Sequence, residues 1–182
     1  MFLSDKTIKE YLDKGIIVVK PTVDSKDIRP TGIRIHLGRE ILFYEDGQTV
    51  DPQKPDAVAH KVVNLGKSPF VIGPGQFVIG HTLEKIKAPR DMLGFLDGRS
   101  TLARLGLTVH ITAAIVDGLY EGGQTITLEI KNESNLSLKL SYKMAIGSLM
   151  FTKIDNEIAQ EIQKQYKVQD GLTPPNLKTQ LE

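Results

Sequence analysis

Apolar and polar residues alternate along much of this chain, in short stretches punctuated by glycine and proline. Ile33, Ile35 and Leu37 alternate with Arg34 and His36 up to Gly38, as expected of a strand with one buried face. Residues 125–130 repeat the pattern, with Ile126, Leu128 and Ile130 on one face and Thr127, Glu129 and then Lys131 on the other. Leu136, Leu138 and Leu140 alternate with Ser137, Lys139 and Ser141. Apolar or β-branched runs at 16–19, 41–44, 92–96, 109–116 and 145–151 predict further strands. The runs 70–72 and 77–83 flank Gly73-Pro74-Gly75 and predict a hairpin. Asp46-Gly47 signals a turn, and the polar, proline-containing stretch 50–58 a loop.

Helical spacing is scarce. Ser4 and Asp5 can cap a short helix carrying Ile8, Tyr11 and Leu12, which Gly15 stops. Helix formers at 101–107 predict one internal helix, and 156–164 a third. Many short strands between Gly/Pro turns, with few short helices, predict a mainly β fold, a barrel or jelly roll. The expected organisation is one β domain over 1–165 and an irregular tail over 166–182, marked by Gly171, Pro174 and Pro175.

Composition narrows the chemistry. The 182 residues hold 23 Lys and Arg against 22 Asp and Glu, so nothing predicts the basic surface of a nucleic-acid partner. There is no cysteine, hence no disulfide, thiol nucleophile or Cys-ligated zinc. The first fifteen residues lack a signal-peptide apolar core, and no run reaches the ~18–20 apolar residues of a membrane helix. A soluble, cytoplasmic protein with no membrane partner is expected. His36, His60, His81 and His110 lack the spacing of a zinc hydrolase.

The most informative stretch runs Gly98-Arg99-Ser100-Thr101-Leu102-Ala103-Arg104-Leu105-Gly106-Leu107. A strand ending at Asp97-Gly98 and a helix starting near Ser100 would place backbone amides, a hydroxyl and two arginines where they can converge on an anion. The same pattern, taken alone, also describes an ordinary capped helix with solvated arginines. A mid-strand Glu129 on the polar face likewise reads, unaided, as a solvated carboxylate.

This segment, followed by His110-Ile111-Thr112-Ala113 and Asp117-Gly118-Leu119-Tyr120, closely resembles the central motif of dCTP deaminases and their dUTPase relatives. The resemblance extends to Phe2-Leu3-Ser4-Asp5, to Gly73-Pro74-Gly75-Gln76 with Thr82-Leu83-Glu84, to Thr127-Leu128-Glu129 and to the tail Tyr166-Lys167-Val168-Gln169-Asp170-Gly171. It covers nearly the whole chain in order and implies a distorted jelly-roll barrel of the dUTPase-like type, assembled as a homotrimer with active sites shared between subunits.

The implied activity is hydrolysis of dCTP to dUTP and ammonia, without a protein-bound metal, in deoxypyrimidine nucleotide biosynthesis. Glu129 matches the family's general base, and the Ala113 carbonyl and Ser100 would hold the attacking water beside Arg104. Arg104 would face the reacting site beside Glu129, Arg99, Ser100 and Thr101 would bind the triphosphate, and Leu102 and Ala103 belong to the same substrate-binding segment. Asp117 matches a contact to the deoxyribose 3′-hydroxyl, and Tyr120 an aromatic packed under the sugar. Thr127, Leu128, Tyr166 and Gln169 match further nucleotide contacts, the last two on a tail able to act as a lid. Mg²⁺ is expected only through the substrate triphosphate. Feedback by dTTP is a family-level expectation.

Five departures from the family's patterns bear on the reading. Arg34 stands where the family's first motif usually has Asp, and the loop from Tyr120 to Glu129 is longer than usual. Ala114-Ile115 replaces the His-Arg pair common in deaminases that stop at dUTP, whereas Ser148 is not the Gln usual in bifunctional enzymes. Gln165 precedes Tyr166 where the dUTP-forming enzymes carry Lys. Two alternatives therefore stand beside the deaminase: a bifunctional enzyme continuing to dUMP and pyrophosphate, and a non-catalytic nucleotide-binding relative.

Overall fold

The computed structural model describes residues 1–54, 58–120, 122–160 and 169–177. Helix α1 (Asp5–Asp13) precedes β1 (Val18–Lys20), a 3₁₀ turn (Ser25–Asp27), β2 (Ile28–Arg29), β3 (Gly32–His36), β4 (Glu40–Tyr44) and β5 (His60–Asn64). There follow β6 (Phe70–Ile72), β7 (Phe77–His81), β8 (Lys85–Lys87), β9 (Met92–Gly98) and helix α2 (Ser100–Arg104). The chain ends its regular structure with β10 (Leu107–Thr108), β11 (Ile115–Val116), β12 (Thr127–Asn132), β13 (Leu138–Leu140) and β14 (Ala145–Lys153).

Two five-stranded antiparallel sheets dominate, in the orders β10-β12-β7-β4-β5 and β11-β9-β14-β3-β2. The ribbons β1-β8 and β13-β6 complete a mainly β, jelly-roll barrel. The alternation in the sequence explains the core directly. Ile33, Ile35 and Leu37 from β3 and its end, Leu149 and Phe151 from β14, and Leu128 and Ile130 from β12 are inaccessible to solvent. Each such side chain contributes roughly 1.5–3 kcal/mol on leaving water.

Gly38 lets the two sheets approach at the end of β3. Its amide donates to the His81 carbonyl at 2.7 Å, and a Cβ there would lie 2.2–2.6 Å from the His81 ring. His81 is held as a neutral imidazole: Nδ1 donates to the Thr82 carbonyl at 2.9 Å while Nε2 accepts from the Glu40 amide. Burial pushes its pKa down.

Several sequence expectations are corrected. Residues 70–72 and 77–83 are not a hairpin, because β6 pairs with β13 while β7 pairs with β12 and β4. The Asn132 side chain donates to the Ile72 and Gly73 carbonyls where the chain leaves the β13-β6 ribbon for the sheet of β7. The internal helix stops at Arg104 rather than 107. Gly106 takes φ of +78°, as a glycine closing a helix does, and Leu107 is already in β10. The stretch 109–116 is not one strand, and only Ile115–Val116 pairs within it. Residues 156–160 are not helical, since the Ile158 amide and carbonyl are both engaged by Arg90. Residues 161–164 lie outside the described residues. The first strand is Val18–Lys20 rather than 16–19, and β2, β5 and β8 are additions.

Candidate active site

The cleft of interest opens on the outer face of the sheet containing β12, opposite the core. Because β12 alternates, Leu128 and Ile130 point inward and Thr127 and Glu129 point out. Antiparallel register sets Glu129 against Ile79 and Lys131 against Phe77 on β7, while Leu42 of β4 sits opposite Ile79. The outer face therefore presents Tyr44, Phe77, Ile79, Glu129 and Thr127 in neighbouring positions, and all five line a cleft of about 530 Å³. That lies within the range of small-ligand sites, roughly 300–1,000 Å³.

Glu129 is anchored from two sides. Its amide donates to the Val109 carbonyl at 3.1 Å, and its carboxylate Oε2 accepts the Ile111 amide at 3.0 Å. This is why 109–116 does not continue as a strand: a side-chain carboxylate takes the amide that a ladder would have used. The resulting loop brings Ile111, Ala113 and Ile115 to the cleft, followed by Asp117 and Gly118. Gln124 secures the far wall, donating through Nε2 to the Gly118 carbonyl at 3.0 Å, while its own Oε1 is buried without a partner among the described residues.

The tail closes over this cleft within the same chain. Gln169 receives the Thr125 amide on its carbonyl at 3.0 Å and the Thr127 hydroxyl on its side-chain Oε1 at 2.8 Å. Gly171 donates to the Thr125 hydroxyl at 3.0 Å, and Asp170 meets Lys85 at 2.6 Å. Thr173, Pro174 and Pro175 continue along the cleft wall.

Of the residues singled out in the sequence, Glu129, Ala113, Asp117, Thr127 and Gln169 come together here. The α2 group does not. Ser100, Thr101, Ala103 and Arg104 are exposed on a separate face, with Leu102 partly buried against the core. The Ser100 hydroxyl accepts a hydrogen bond from Arg104, while Arg99 donates to the Ala145 carbonyl at 2.9 Å. Helix α2 starts at Ser100 itself, with Arg99 as the residue before it and no side-chain cap. Leu128 has its side chain in the core, so only its backbone can face the cleft. Tyr120 also lies outside it, with the Arg90 guanidinium 4.3 Å from its ring centre and its hydroxyl donating to the Gln160 carbonyl at 3.3 Å. Tyr166 is outside the described residues.

The sequence reading missed Tyr44, Phe77, Ile79, Gln124 and Thr125 as cleft residues. The available signal was the shared strand face: once β7 pairs with β12 in this register, Phe77 and Ile79 must flank Glu129.

Arg34, the departure in the first motif, also finds its explanation. Its guanidinium meets the buried Asp27 carboxylate at 3.2 Å, and next to it His36 Nδ1 lies 2.7 Å from Glu84. Glu84 also accepts the His36 amide at 2.9 Å. The pairing of Arg34 with Asp27 gives a buried carboxylate the partner it needs.

Comparison with known proteins agrees with this architecture. The family model for dCTP deaminase-like domains matches residues 2–154. A dUMP-forming dCTP deaminase of Sulfurihydrogenibium sp. (strain YO3AOP1) is 35% identical over 175 residues, 95% of each chain. A dCTP deaminase of Mannheimia succiniciproducens is 35% identical over 170 residues, 87% of each chain. The crystal structure of 2′-deoxycytidine 5′-triphosphate deaminase from Agrobacterium tumefaciens superposes with a TM-score of 0.64 at 16% identity, over 82% of this chain and 47% of that one, a likeness of fold. Among the described residues no helix is long and apolar enough to cross a membrane.

Proposed function

The chain belongs to the dCTP deaminase-like family, and from that premise we propose that it hydrolyses the 4-amino group of dCTP, giving dUTP and ammonia. The observation that carries the reading is the Glu129 carboxylate at the cleft, with Oε2 fixed by the Ile111 amide and Oε1 left to work on a ligand. A carboxylate so oriented suits general acid–base catalysis, typically worth ~10²–10⁴-fold.

In this proposal Glu129 removes a proton from water as the oxygen adds to C4 of cytosine, and that proton passes to N3. In the tetrahedral adduct the new hydroxyl proton travels by Glu129 to the amino nitrogen. The C4–N bond then breaks, ammonia leaves and the C4 carbonyl forms. Ala113 and Asp117 line the same cleft, and we assign the Ala113 backbone to orienting the water and Asp117 to accepting the deoxyribose 3′-hydroxyl. Gln169, clamped to Thr127, serves as part of a lid that excludes bulk water.

The triphosphate contacts are assigned to Arg99, Ser100 and Thr101, and Arg104 to the reacting centre beside Glu129. Because these residues do not line the cleft of their own chain, the complete site is proposed to join α2 of one subunit to the cleft of another, in a homotrimer. Mg²⁺ is proposed to be carried by the triphosphate oxygens and water, where it offsets phosphate charge.

A second reading, in which dUTP is carried on to dUMP and pyrophosphate, is favoured by Asp117 lying in the same cleft, where a carboxylate can orient water toward the α-phosphate. Chromatography of nucleotides after incubation with dCTP and Mg²⁺ tests both. Accumulation of dUTP supports the first reading and accumulation of dUMP the second. Intact dCTP and dUTP would contradict both.

A further inference from the structure

Phe77 and Tyr44 are packed as a stacked pair, their ring centres 6.2 Å apart and their planes within 15°. Both line the cleft. Phe77 sits two residues from Ile79 on β7, and Ile79 is directly opposite Glu129 on β12. Phe77 is thus the diagonal neighbour of Glu129 on the same face, a separation of about 7–8 Å within reach of an aromatic side chain. Tyr120, the residue matched to the family's sugar-packing aromatic, is turned away and covered by Arg90. Phe77 and Tyr44 are accordingly the aromatic rings lining the cleft among the described residues.

The geometry points to Phe77, backed by Tyr44, as the surface on which the pyrimidine ring of the nucleotide lies. A planar heteroaromatic ring gains from stacking on an aromatic face. A single ring laid over Phe77 with its amino edge toward β12 presents C4 to Glu129, and the span between the two residues suits one ring better than a fused pair. Phe77 is then a positioning and specificity residue that fixes where C4 stands relative to the carboxylate. Tyr44 keeps the Phe77 ring in the orientation needed. The inference rests on the deaminase reading, since that reading brings the base to this cleft.

The chain has no tryptophan, so F77W introduces a single fluorescent reporter. In an E129Q background, which prevents turnover, dCTP is expected to quench the F77W emission saturably, and inorganic tripolyphosphate to leave it unchanged. In otherwise wild-type protein, F77L is expected to raise KM for dCTP about 5- to 150-fold. F77Y, which keeps the ring, should restore near-normal KM. Y44L should give a smaller rise, Y44F almost none. Binding is measured in parallel by equilibrium dialysis with labelled dCTP, and folding by circular dichroism. Bound dCTP without quenching, or F77L equivalent to F77Y, would overturn the proposal, as would a subunit covering Phe77 so that its emission ignores every nucleotide. If wild-type protein binds no deoxycytidine nucleotide at all, the functional reading itself fails, an outcome distinct from binding without stacking.

Discussion

The amide of Ile111 donates to Oε2 of Glu129 at 3.0 Å, joining the loop before β11 to a carboxylate on the middle of β12. This bond does two things. It ends strand pairing through 109–114, and it fixes one oxygen of a carboxylate that lines the cleft together with Ala113 and Asp117. A hydrogen bond to a charged acceptor is among the stronger ones available to a protein, at about 1.5–3 kcal/mol.

The proposed sharing of active sites between subunits is open to a complementation test. E129Q and R104A are each expected to be inactive alone. Mixed and allowed to exchange subunits, they should recover roughly a quarter of wild-type activity, because that fraction of sites pairs an intact Glu129 with an intact Arg104 from another chain. No recovery, with mixed trimers demonstrated by native mass spectrometry, would mean that both residues act within one chain.

The tail clamp depends on Thr127 and Gln169 at 2.8 Å. T127V and Q169A should each weaken tail closure by about 1 kcal/mol, seen as several-fold higher KM for dCTP and faster limited proteolysis after β14. The double variant should show less than the sum of the two single effects, as residues sharing one bond do. Additive effects would show that they do not act through this contact.

The alternation of Ile33, Ile35 and Leu37 and that of Leu128 and Ile130 were legible because one side of each strand is buried and the other is not. The exposed strand β5 was not: His60, Lys61 and Val62 are solvent-facing and carry no such contrast. Nor could local sequence reveal that 109–114 would be diverted by a carboxylate eighteen residues ahead. The Gly73-Pro74-Gly75 turn was legible as a turn, but its strands part because the distant Asn132 and β13 capture them. Glu129, Asp117 and Gln169 were singled out by family resemblance, and all three line the cleft. Phe77 was read only as strand because its meaning depends on the register of β7 with β12.

Stability should depend on His81. Burial lowers the pKa of this imidazole from its ordinary value of about 6.5. A lowered folded value means the unfolded chain binds the proton more readily. The contribution to stability is therefore full above about pH 6.5 and is lost as pH falls through the folded value. Urea midpoints should drop over that window in wild type and less in H81Q. Equal pH slopes in the two would contradict the assignment.

The Arg34–Asp27 pair makes a signed prediction. R34A should destabilise by about 1–3 kcal/mol, because Asp27 is left buried without its cation. R34D should be worse still, adding a third carboxylate near Asp27 and Glu84, and D27N/R34A should recover part of the loss. Equilibrium urea unfolding measures all three. A neutral R34D would refute the pairing.

Ammonia release from dCTP in the presence of Mg²⁺, compared between wild type and E129Q, tests the central claim most directly. Wild type is expected to release ammonia steadily and E129Q ~10²-fold or more slowly, with dCTP binding retained. Comparable release by the two proteins, or none from folded, nucleotide-bound wild type, would contradict a Glu129-dependent deamination.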